Sequence, residues 1–134
     1  MPDLTSTDIA GRIEDLYGAS LADLEVHAQE QPPGMLSALL GMHDALALAE
    51  RSIDFHRDHL TRALDPERQI GPQEVSHLLD GTRRLAEAVA VREAQATSVS
   101  AVLQSLARVP APPPTSSPPV PAPPLVPPSP ARSR

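Results

Sequence analysis

Residues 35–64, MLSALLGMHDALALAERSIDFHRDHLTRAL, decide the fold. Met35, Leu39, Met42, Leu46, Ala49 and Ile53 fall in alternating steps of four and three, and His56, Leu60 and Ala63 carry the ladder on. That spacing keeps one edge of a helix against a partner helix over about four heptads. A second ladder runs through Val75, Leu78, Thr82, Leu85, Val89 and Arg92, then Ala96, Val99, Leu103 and Leu106. Asp65-Pro66 ends the first arm, because proline disfavours a helical residue before it. Pro72 at a first helical position and Glu74 in the first turn restart the chain. Two helices of matching period with so short a link predict an antiparallel hairpin. The second arm extends to residue 108, so it is about 54 Å long at 1.5 Å per residue. Gly41 and Asp80-Gly81 interrupt the arms without breaking their register.

Working outward, residues 1–34 predict two short helices that pack on the hairpin. Ile9, Ala10, Ile13, Leu16 and Tyr17 make an apolar edge behind cap candidates Thr5, Ser6 and Thr7, and Gly18 ends that helix. Ser20 caps the next, with Asp23 three residues on, and Gln31-Pro32-Pro33-Gly34 stops it. Neither is long enough to persist alone in water. The first arm also carries Leu36, Leu40, Leu48 and Phe55 outside the ladder, a surplus that predicts a docking surface. From residue 109 the composition changes: twelve of the seventeen prolines lie between Pro110 and Pro130. Such a stretch buries no core, and a disordered or polyproline II tail is expected over 109–134. The expectation is therefore an all-α protein: short helices at 1–34, a coiled-coil-like helical hairpin at 35–108, and a proline-rich tail.

Composition narrows the function. The 134 residues contain no cysteine, which excludes disulfides and thiolate chemistry. All seventeen acids lie at or before Glu93, giving residues 1–93 a net charge of −9 against +3 for the rest. An acidic helical body repels phosphate backbones, so nucleic-acid binding is not expected. No basic run precedes an apolar stretch at the start, and no window reaches the ~18 apolar residues of a membrane span. A cytoplasmic protein without membrane attachment is the expectation. No Gly-x-Ser-x-Gly elbow or glycine-rich phosphate loop occurs, so no catalytic residue and no cofactor are assigned.

What remains is helix-on-helix chemistry. Leu39, Leu46, Ile53 and Leu60 on the first arm, with Leu85, Val89, Val99 and Leu103 on the second, are the expected interaction residues. They predict a non-enzymatic protein–protein interaction module, self-associating as a homodimer, with a protein as its partner. The tail reads as a solubilising spacer or as a docking peptide, for which Pro127, Pro130 and Arg132 match the P-x-x-P-x-R form that a polyproline-binding domain such as SH3 takes up. Two alternatives come from other classes. His56, His59, Glu74 and His77 fall near the expected turn, and imidazole with carboxylate at that spacing is the donor set of a metal-binding helical bundle. Residues 12–28, RIEDLYGASLADLEVHA, resemble the first two helices of lambda-repressor-like helix-turn-helix domains. That resemblance implies a DNA-linked regulator with a degenerate motif over 12–40, whose reading helix would be 31–40. Those ten residues contain no Arg to serve phosphate or base contacts.

Overall fold

The structure, a computed structural model, describes residues 4–108. Among them are four helices and no strand: α1 (Ser6–Tyr17), α2 (Leu21–Glu30), α3 (Met35–Ala63) and α4 (Pro72–Ala107). The expected tail at 109–134, with Pro127, Pro130 and Arg132, lies outside the described residues.

Local chemistry sets each helix end. Thr5 caps α1: its hydroxyl accepts the Asp8 N–H at 3.2 Å, and its own N–H donates to Asp8 Oδ2 at 3.0 Å. Gly18 closes α1 at φ 69°, a left-handed conformation that suits a residue without Cβ. Ser20 caps α2 by accepting the Asp23 N–H at 3.3 Å. At the hairpin turn, Asp65 accepts the Glu67 N–H on its carboxylate and the Arg68 N–H on its carbonyl, both at 3.0 Å. Glu74 accepts the Gly71 N–H at 2.9 Å and so orders the entry to α4. α3 and α4 run unbroken through Gly41 and Gly81.

α3 and α4 pair along their length as an antiparallel hairpin, and α1 and α2 lie on one end of it. There Ile9, Ile13, Leu24, Leu39, Leu46, Val99 and Leu103 close into one core, with Leu36, Met42, Ala96 and Leu106 packed around it. Burying a leucine as completely as Leu46 contributes about 1.5–3 kcal/mol. Two polar ties fix α1 and α2 in place. The Ser6 N–H donates to Glu50 Oε1 of α3 at 2.7 Å and its hydroxyl donates to Glu50 Oε2. Glu14 of α1 accepts the Leu21 N–H at the start of α2 at 3.3 Å.

The α4 ladder holds at Val99 and Leu103, but its distal half differs from the spacing argument by one position. Thr82 is exposed and Val89 only half-buried, whereas Gly81 and Ala88 are buried. There the line on α4 that meets α3 is small: a Cβ on Gly81 would stand 3.2 Å from Leu60 Cδ2. Absence of a side chain lets the two helix backbones come close, and large side chains are displaced to the edges. On α3 the ladder holds at Leu39, Leu46, Ala49 and Ile53, while Met35 at its start is exposed.

Two outcomes follow. Leu46→Ala should lower unfolding free energy in urea by about 2–5 kcal/mol, as core truncations do, and Leu48→Ala, two residues on and 59% exposed, by far less. The second concerns Asp8, whose carboxyl is held below its ordinary range by the Thr5 N–H and then by the Thr5 hydroxyl. A depressed folded value contributes stability above the unfolded one. The advantage of the parent over Asp8→Asn should therefore be complete at neutral pH and fade as pH falls through about 3.9 and below. Urea titrations of both chains across that range measure it.

Candidate interaction surface

The two ends of the hairpin differ sharply. Beyond Glu50 on α3 and before Gln95 on α4, the buried residues among those described are Ile53, Gly81 and Ala88. Among the described residues no third helix covers this distal half: α1 begins at Ser6, whose contact is Glu50, and α2 packs on α3 and α1. Leu60, Leu78, Leu85 and Val89 are left half-buried at the seam. Around them Leu64, Ile70, Val75 and Leu79 are exposed, Leu79 to 68%.

Three faces of the distal half can be separated. One side is polar, a shallow hollow lined by Ser52, His56, Asp80, Arg84 and Glu87, with Arg84 paired to Asp80 at 3.1 Å. The outer face of α3 carries Leu48 and Phe55, with Phe55 67% exposed and flanked by imidazoles. Its ring meets His56 edge-on at 5.3 Å and stacks on His59 at 6.3 Å. The remaining side continues the edge of α4 that α1 covers further along. Val89 stands in heptad steps from Ala96 and Leu103, Leu78 and Leu85 in heptad steps from Val99, and Leu103 meets α1 beside Arg12 and Leu16. On the α3 border of this side, Arg57 and Leu64 lie one and two heptads beyond Glu50.

The expected interaction residues divide between these regions. Leu39, Leu46, Val99 and Leu103 are spent inside the core, and Ile53 is buried between the arms. Leu60, Leu85 and Val89 remain partly accessible. Of the surplus stripe, Leu40 is buried and Leu36 packs on the core, so only Leu48 and Phe55 stay in the open. Spacing missed Gly81 and Ala88 altogether, although their seven-residue separation is itself a heptad signal. Arg92 is half-buried and pairs with Glu93 at 3.3 Å.

The histidines do not converge. His59, Glu74 and His77 line one groove by the turn with Arg62 and Arg68, whereas His56 lines a separate hollow further from the turn with Asp80 and Arg84. Among the described residues no three His or carboxylate groups come together as metal ligands. In the segment resembling a helix-turn-helix, residues 31–34 are a connector and 35–40 open α3, with Leu36, Leu39 and Leu40 turned inward. Among the described residues no helix is long and apolar enough to cross a membrane. Compared with known protein families, curated proteins and solved structures, the chain matches none.

Zinc should leave the melting temperature of the full chain unchanged. A rise abolished by His59→Ala/His77→Ala would show that the groove by the turn does gather a metal.

Proposed function

We propose that this chain is a non-enzymatic helical interaction module that associates with itself through its hairpin, with residues 109–134 serving as a spacer or a docking tail. One observation carries the reading: the hairpin is packed into a core at one end, while its other end leaves Leu78, Leu85, Val89 and their exposed apolar neighbours uncovered. Apolar side chains gathered on one stretch of surface favour burial against another protein. A two-helix hairpin buries a single stripe of each helix, and a second hairpin laid on it makes a four-helix bundle. The net charge of −9 over residues 1–93 supports a protein partner rather than a nucleic acid. For the tail, Pro127, Pro130 and Arg132 support recruitment of a polyproline-binding domain.

Light scattering across a concentration series tests the module. The mass should rise above the 14.2 kDa chain as concentration increases. A chain ended after Arg108 should associate equally well, because the surface lies on the helices. Loss of association in that shorter chain would move the function to the tail.

A further inference from the structure

We infer that the uncovered α1-side groove of the distal hairpin is closed by a second copy of this chain, turned end for end about a two-fold axis level with residues 83 and 84 of α4. The inference rests on the self-association proposed above and assigns its face. Continuity is the first argument. α1 lays Ile9 and Ile13 over the α4 edge at Ala96, Val99 and Leu103, and stops where Ser6 reaches Glu50. The same edge runs on through Val89, Leu85 and Leu78, and none of the described residues lies over it. An apolar helix there would extend the packing that α1 begins.

Self-complementarity is the second argument, because a two-fold interface presents the same patch from both sides. Laid antiparallel about that axis, Leu78 of one copy meets Val89 of the other, and Leu85 meets Thr82. Each contact occurs twice. Charge is the third. Leu60 faces Gly81, so the level of residues 83 and 84 on α4 is that of 58 and 57 on α3. There the same axis sets Arg57 of one copy against Asp58 of the other, and the reverse. Arg57 and Asp58 are exposed, and among the described residues neither makes an ion pair. The outer-face residues Leu48 and Phe55 and the polar side around His56 and Asp80 stay outside this contact.

Sedimentation equilibrium of the full chain and its variants tests the arrangement. The parent should give twice the 14.2 kDa chain mass. Leu85→Glu/Val89→Glu should be monomeric while keeping the parent's helical circular dichroism, and Leu48→Glu/Phe55→Glu should remain a dimer. Arg57→Asp and Asp58→Arg, each alone, should raise the dissociation constant at least tenfold. The double exchange Arg57→Asp/Asp58→Arg should restore it, which reads the contact even if the glutamate variant unfolds. A dimer that survives Leu85→Glu/Val89→Glu, or charge exchanges without rescue, would overturn this face and leave self-association standing. A parent of 14.2 kDa at every concentration would overturn both.

Discussion

Everything in this chain depends on one junction, where Ile9 and Ile13 of α1 press into the cleft between Leu39 and Leu46 on α3 and Val99 and Leu103 on α4. Two helices alone bury one stripe each, and dispersion and the hydrophobic effect reward only area withdrawn from water. The third helix converts that stripe into an enclosed core. With only Tyr17 and Phe55 as aromatics, both exposed, the core is aliphatic throughout and gains its stability from fit rather than large rings. Glu50 adds direction: by accepting both the N–H and the hydroxyl of Ser6, it sets where α1 starts and hence how much of the hairpin stays uncovered.

That placement makes the molecule asymmetric. At one end packing is complete and side chains are committed. At the other, the arms touch through Gly81 and Ala88, whose small size permits close backbones but removes little apolar area from water. The larger residues stand on the edges, half-covered. In the proposed module, stability and recognition are thereby separated along one pair of helices, so a change in the distal edge would alter association without dissolving the core.

Much of the architecture was legible in the residues. Helix boundaries are written in chemistry that acts locally: the Thr5 and Asp8 cap, the left-handed Gly18, Ser20, and Pro72 ahead of Glu74. The α3 ladder was legible because its buried members are large and regularly spaced. The α4 ladder was legible at Val99 and Leu103 but lies one residue off in the distal half, because glycine sends no hydrophobic signal and alanine little, so Thr82 and Val89 drew attention from the line beside them. Nor did spacing along a helix tell which groove a side chain would enter. His56 and His59 are three residues apart on one face of α3 yet border different hollows, because each meets a different turn of α4: Asp80, Arg84 and Glu87 beside His56, Glu74 and His77 beside His59.

Amide hydrogen exchange resolved by residue, run at low and then at high protein concentration, reads this asymmetry directly. At low concentration the slowest amides should lie at 39–49 of α3 and 96–103 of α4, with the distal half opening more readily, and only that half should slow as concentration rises. Distal amides as slow as those of the core at low concentration would contradict the account, because the hairpin would then be held by something other than its four-helix end.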